Sequence, residues 1–256
     1  MTETPLQFPD RMDAERNFRA RFHPKMVAPD TFRDPNDILL FVHIPKTAGM
    51  SFGKSLRKAF DQFRGVHWEN PRGSLGQETR QALYQRTLSP QRQVIAGHFN
   101  WGDMLVWRNN ALPIRAISVL RDPLERFVSN YNYNCSEKHP RNAEFKERYP
   151  TLQEYAEVLP LDVQLTQLVG PVPSFEDALE KLTAHYSFLG VTENMPASLA
   201  HLSRSHGLRK MTEHSQNVGV KTSAEVPSHI RELVLNRSAN DARLHQLLLS
   251  YYQDVE

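Results

Sequence analysis

The chain has 256 residues, 39% of them hydrophobic, enough to bury one sizeable core. Its 31 basic and 29 acidic residues leave a net charge of +2, without the charge excess that marks a nucleic-acid protein. The single cysteine, Cys135, rules out an intrachain disulfide and any metal site built on clustered cysteines.

Residues 1–36 are polar and carry several prolines and arginines. They read as an N-terminal arm ahead of a single domain over residues 37–256. The opening MTETPLQFPDRMDAERNFRARF lacks the apolar core of a signal peptide. No run approaches the ~20 apolar residues that span a bilayer. A cytoplasmic protein without a membrane span is the expectation.

The stretch Ile38 to Phe63 organises the rest. Ile38 to His43 is a nearly unbroken apolar run, as in a strand buried on both faces of a parallel sheet. A tight turn, Pro45 to Ser51, follows. Then Phe52, Leu56, Phe60 and Phe63 recur at helical spacing, with Ser51 in place as N-cap. A helix start after a small-residue loop favours anions, because its first amides lack intrahelical partners and the macrodipole adds positive charge. Ala48 and Gly49 allow close approach, Lys46 adds a full charge, and Thr47 and Ser51 add hydroxyls. The order is not G-x-x-x-x-G-K-[ST], since the lysine precedes the glycine, so ordinary ATP or GTP binding is disfavoured.

The run His43-Ile44-Pro45-Lys46-Thr47-Ala48-Gly49 resembles the 5′-phosphosulfate loop of sulfotransferases that use PAPS (3′-phosphoadenosine-5′-phosphosulfate). It is most similar to the HIPKTAG branch, which includes heparan sulfate 2-O-sulfotransferase and many bacterial carbohydrate enzymes. The resemblance implies a P-loop-like α/β fold with a mostly parallel central sheet flanked by helices. It implies PAPS as sulfuryl donor, PAP as product, a carbohydrate hydroxyl as acceptor and no metal. Lys46 becomes catalytic and donor-binding, and Thr47, Ala48, Gly49, Met50 and Ser51 line the donor. Met50 stands where the family often has Thr, a position that can act through its backbone N–H. The eukaryotic members usually carry a membrane anchor that this chain lacks, so a bacterial source is expected.

Residues 64–76 read as a loop, and residues 77–88 as a short helix. Gln93 to His98 reads as a second strand. A histidine at a strand's carboxyl end lies where open α/β sheets bind ligands, and the resemblance makes His98 the catalytic base. His43 is its rival by proximity, in a structural or supporting role. Ile114 to Leu120 is the third strand, followed by Arg121-Asp122-Pro123 and a helix with Leu124, Phe127, Val128 and Tyr131 on one face. RDPLERFVS fits the family pattern R-D-P-x-x-R-x-x-S, which makes Arg121 and Ser129 the 3′-phosphate pair and leaves Arg126 either as a neighbour on the helix surface or as an assisting group. The planar fork of Arg suits a phosphate.

Thr151 starts a short helix, and Asp162 to Leu168 resembles the family's D-N-x-Q-T-R segment, with Gln164 either in the cleft or on a polar helix face. Ser174 caps the next helix. Ser187 to Val191 reads as a fourth strand running into Thr192-Glu193-Asn194, where Glu193 either faces the cleft or caps and supports the helix 196–206. Gly207 closes that helix. In the family a loop like 208–226 covers the nucleotide, which makes Lys221 either a phosphate contact or an exposed loop lysine. The last helix holds Asp241, with His245 where the family has Tyr. Alternating strands and helices imply helices on both faces of a parallel sheet. Trp68, Trp101, Trp107, Tyr131 and Tyr133 are either sugar-stacking or core residues. The alternatives are a nucleotide kinase-like phosphotransferase, or a relative that binds nucleotide or sugar without turnover.

Overall fold

Every side chain of strand β1 (Ile38–Val42) is buried, which suits the centre of a sheet rather than an edge. In the computed structural model, which describes residues 11–34, 36–66, 71–88, 91–109, 114–212 and 225–254, β1 is the middle strand of one parallel sheet of five. The others are β2 (Gln62–Gly65), β3 (Gln93–Gly97), β4 (Ile114–Leu120) and β5 (Tyr186–Val191), in the order β2-β3-β1-β4-β5. Leu40 of β1 stands beside Ile95 of β3 and Ala116 of β4. The chain builds one flank through β2 and β3, then crosses β1 to build the other. That reversal opens a crevice at the carboxyl ends of β3, β1 and β4, where ligands of open α/β sheets bind. The expected α/β architecture is the one observed.

The helices are α1 (Arg11–Phe22), α2 (Gly49–Ala59), α3 (Pro71–Leu88), α4 (Trp101–Asn109), α5 (Pro123–Cys135) and α6 (Asn142–Arg148). Then come α7 (Leu152–Glu157), α8 (Val163–Val169), α9 (Phe175–His185), α10 (Met195–Ser205), α11 (Ser228–Arg237) and α12 (Ala239–Gln253). The pleat sends Leu39 and Phe41 to one face, against Phe52 and Leu56 of α2 and Leu199 and Leu202 of α10. Ile38, Leu40 and Val42 go to the other, with Phe18 and Phe22 of α1, Leu165 and Leu168 of α8, and Leu244 and Leu248 of α12. Each such large side chain contributes roughly 1.5–3 kcal/mol on burial. A third cluster joins α5, α7 and α11 through Phe127, Ala156 and Val234. Among the described residues no helix is long and apolar enough to cross a membrane.

Several expectations need correction. The helix after the loop ends at Ala59, not Phe63. Phe60 is already extended, and the N–H groups of Asp61 and Gln62 turn to the Arg92 carbonyl, opening β2. Phe60 and Phe63 pack on the same apolar cluster as Phe52, so a helical and an extended reading of that spacing bury the same rings. The loop expected over 64–76 gives way to the end of β2 and the start of α3. β2 is a short edge strand whose residues are half-buried or exposed, and it carries no apolar signature. Helices α4 and α11 form where the sequence pattern predicts none, and α1 lies within the N-terminal arm. The apolar stripe of α1 is thin but deep: Ala14, Phe18 and Phe22 are all buried.

Local signals set the other termini. Asp122 accepts from the Glu125 N–H at 2.9 Å, with Pro123 in the first turn of α5. Thr151 and Glu154 form a reciprocal capping box on α7. Ser174 caps α9. Gly207, at φ 58, follows α10 in the left-handed region where glycine is favoured.

Helices α8 and α12 cap one another. The Asp162 carboxylate, just before α8, accepts the Asn240 and Asp241 N–H groups of α12 at 2.8 and 3.1 Å. The Asp241 carboxylate accepts the Gln164 and Leu165 N–H groups of α8 at 3.0 and 2.7 Å. Burial pushes the Asp241 carboxyl up to about 6, although both amides pull the other way. Loss of a helix cap costs about 0.5–2 kcal/mol. Asp162→Ala and Asp241→Ala are each expected to lower unfolding free energy by about that much, read as a lower urea midpoint at unchanged slope.

Candidate active site

Strand β1 delivers the loop Ile44–Ala48 to the crevice. Lys46 and Ala48 adopt left-handed conformations, φ 71 and φ 56, which L-residues avoid without compensation. The buried Thr47 between them donates its hydroxyl to the Ile44 carbonyl at 3.0 Å and closes the turn. Its side chain therefore serves the loop rather than a ligand. α2 begins at Gly49 with Ala48 as N-cap, and no side chain caps it, so Ser51 is an intrahelical residue rather than the cap. Phe52 is the first residue of α2 to send its N–H to a loop carbonyl, that of Ala48. The amides of Gly49, Met50 and Ser51 therefore head the helix without intrahelical acceptors. Met50 is 63% exposed, so its side chain takes no part in the packing.

Gly49 has a steric reason. A methyl group there would overlap the His43 ring. That ring stacks between Phe41 and His98, at centroid distances of 5.6 and 4.4 Å. Burial pushes His43 down to about 3, which leaves it neutral. Its carbonyl accepts from His98 Nδ1 at 2.9 Å and from Gln167 Nε2 at 3.1 Å. A carbonyl has two lone pairs, and both are used. Because the partner of Nδ1 is an acceptor only, Nδ1 carries the proton and Nε2 of His98 carries a lone pair. Burial lowers the His98 pKa, with the His43 carbonyl opposing.

Arg121 meets the loop from β4. It donates to the Lys46 carbonyl at 3.3 Å and pairs with Glu125 at 3.3 Å, both groups being about a third exposed. Lys46 Nζ lies 4.1 Å from the centroid of the Tyr133 ring, and burial beside Arg121 and Lys138 lowers its pKa. Ser129 lies further along α5, half-buried. Arg126 is not a surface neighbour: it is 4% exposed and its Nε has no hydrogen-bond partner. Lys221 and Trp68 lie outside the described residues, as does the side chain of Trp107.

The supports of this site come from residues whose partners are far off in sequence. Gln164 is buried and neither faces the cleft nor forms a solvated face. It clasps Arg121 twice, accepting the backbone N–H at 3.0 Å and donating to the carbonyl at 2.8 Å. Gln167, one turn on, also donates to the Phe99 carbonyl at 2.9 Å. The i, i+3 spacing that puts both glutamines on one face of α8 was the available signal. Glu193 does not cap α10, which Asn194 does. It accepts the Asp122 N–H at 2.9 Å and pairs with His245 at 2.9 Å, so it holds the Arg121–Asp122 turn. Among the described residues no cluster of three His, Cys, Asp or Glu side chains is arranged to hold a metal ion.

A pocket of about 350 Å³ opens beside His98, walled by Pro45, Phe99, Pro160, Leu161, Val163 and Thr166, among others. Gly49→Ala is expected to force the loop and the His43 ring apart. Overpacking of this kind costs typically 1–3 kcal/mol, to be read as a lower Tm and as loss of anion binding at the loop.

Residues 29–256 match the model of the sulfotransferase family. No curated protein matches the sequence. Among solved structures, the chain is similar to that of mouse sulfotransferase SULT7A1 complexed with PAP, with 13% identity, a TM-score of 0.42, and coverage of 85% of this chain and 69% of that one. The family match spans most of the chain, from before β1 through α12, and the protein belongs to the sulfotransferase family.

Proposed function

We propose that the protein transfers a sulfuryl group from PAPS to an acceptor hydroxyl, with His98 as base and Lys46 as the charge that assists the leaving phosphate. The observation that carries this reading is the junction of Arg121 with the Lys46 carbonyl. It joins two cationic anchors in one crevice, one for each anionic end of such a donor. The left-handed loop, the open amides of α2 and the Arg fork all fit phosphate and sulfate oxygens.

The acceptor oxygen forms a bond to sulfur as the bond from sulfur to the bridging phosphate oxygen breaks. The electron pair goes to that oxygen, and PAP leaves. The acceptor proton goes to His98 Nε2. Lys46 and the amides of Gly49–Ser51 stabilise the charge that builds on the bridging oxygen. Loss of one such donor typically costs about 2.7–4 kcal/mol in the barrier. The resemblance of the loop to the carbohydrate branch supports a sugar hydroxyl as the acceptor. A cytoplasmic location belongs to the same reading.

Calorimetric titration with PAP tests the donor site. Saturable binding by the wild type is expected, weakened about 10–100-fold in Lys46→Ala and in Arg121→Ala, as for loss of a charge-assisted contact worth about 1.5–3 kcal/mol. Binding of ATP with Mg²⁺ but not of PAP would return the phosphotransferase alternative.

His98→Asn should keep PAP affinity and lower kcat by about 10²–10⁴-fold. The base must be neutral to work, and its pKa is lowered from 6.5. Activity is therefore expected to persist as pH falls through 6.5 and to fail only below it. A kcat profile that already halves above pH 6.5 would count against His98.

A further inference from the structure

Tyr133 stands out among the aromatic residues of the chain, and the proposed transfer gives it no part. Its place in the fold ties it to Lys46. The Lys46 ammonium lies over the face of the Tyr133 ring, 4.1 Å from the centroid. An aromatic face carries partial negative charge and attracts a cation at this range. The charged neighbours of Lys46 include Arg121 and Lys138, both cations that repel it. The ring therefore supplies attraction on one side of a lysine that those neighbours push away.

The ring is itself held in place. Ser136 sends its N–H and its hydroxyl to the Tyr133 carbonyl at 3.0 and 2.7 Å, which turns the chain back at the end of α5. His139, in that turn, meets the Tyr133 ring edge-on, with centroids 5.5 Å apart and planes at 81°. The Asn142 side-chain amide donates to the His139 carbonyl at 3.0 Å and secures the turn. Residue 46 is thus gripped at two points from one helix. Arg121, just before α5, donates to the Lys46 carbonyl at 3.3 Å, and Tyr133, about three turns later, takes the ammonium. The first grip bears on a backbone held left-handed at φ 71. The second narrows the choice of rotamers open to a long side chain, and a side chain ordered in advance loses less entropy when a ligand arrives.

We infer that Tyr133 is a positioning residue for Lys46: its ring face holds the ammonium beside the loop Ile44–Ala48, ready for an anionic oxygen of the donor. Tyr133 acts through the lysine, and its hydroxyl is dispensable. The inference rests on the sulfotransferase reading, in which Lys46 meets the donor.

The test is a double-mutant cycle read by calorimetric titration with PAP. Tyr133 is 36% exposed, and Tyr133→Phe controls for packing because it keeps the ring face. That variant should bind PAP as the wild type does. Tyr133→Leu keeps apolar bulk without the ring face and is expected to weaken PAP about three- to thirtyfold, the range of a cation–π contact. In a Lys46→Ala background, Tyr133→Leu should have no further effect, since a residue that acts only through another falls silent once that other is gone. Equal weakening by Phe and Leu overturns the inference and leaves the donor site standing. So does a Leu effect that survives in Lys46→Ala, or PAP affinity that Tyr133→Leu leaves unchanged or improves. Failure of the wild type to bind PAP, or PAP binding indifferent to Lys46→Ala, removes the reading beneath the inference, which falls with it.

Discussion

The site depends on how the carboxyl ends of three buried strands satisfy their backbone polar groups. Where β3, β1 and β4 stop, their last carbonyls and amides leave the ladder but stay out of water, and each needs a partner. Helix α8 runs across all three ends and supplies two of them from one face. Gln164 closes on Arg121 after β4, and Gln167 bridges His43 after β1 and Phe99 after β3. One short helix thereby fixes the relative positions of the loop, His98 and Arg121. The His43 carbonyl is the shared point, since it also sets the tautomer of His98.

A further ring of support lies behind that clasp. α8 has only seven residues, too short to persist by propensity, and its first amides rest on Asp241 of α12. Glu193, from the end of β5, holds the Asp122 amide and is itself held by His245 of α12. The cationic groups that face a ligand are thus few and half-exposed, while the groups that aim them are buried, neutral or paired. Burial keeps His43 uncharged, so the stack of His43 on His98 brings no like-charge repulsion next to Lys46.

Much of this was legible in the chain. The unbroken apolar run of β1, the small-residue loop and the following amphipathic stripe specify a strand-loop-helix unit by composition and period alone. RDP at the end of β4 announces a capped helix for the same reason. What escaped was structure whose reward is non-local. The four residues of β2 earn their place by pairing with β3, which no property of Gln62–Gly65 reveals. Ser51 looked like a cap, yet the strained Ala48 starts the helix because the His43 ring admits only a glycine next in line. Gln164 looked like a solvated or cleft residue because its partner lies 43 positions earlier in the chain. Arg126, read as exposed by its charge, is buried beneath the helices that pack on α5.

The mutual capping of α8 and α12 has a consequence for the order in which the molecule is made. Domains are synthesised from the N-terminus at about 5–20 residues per second. The loop Ile44–Ala48, His98 and Arg121 have all left the ribosome well before residue 239, where α12 begins. Until Asp241 emerges, the start of α8 has no acceptor for its amides, and until His245 emerges Glu193 has no partner. The nascent chain therefore carries every group of the site before it can hold them in register. α12 supplies the last of these supports, so the nascent chain holds the groups of the crevice in register only after residue 245 has emerged.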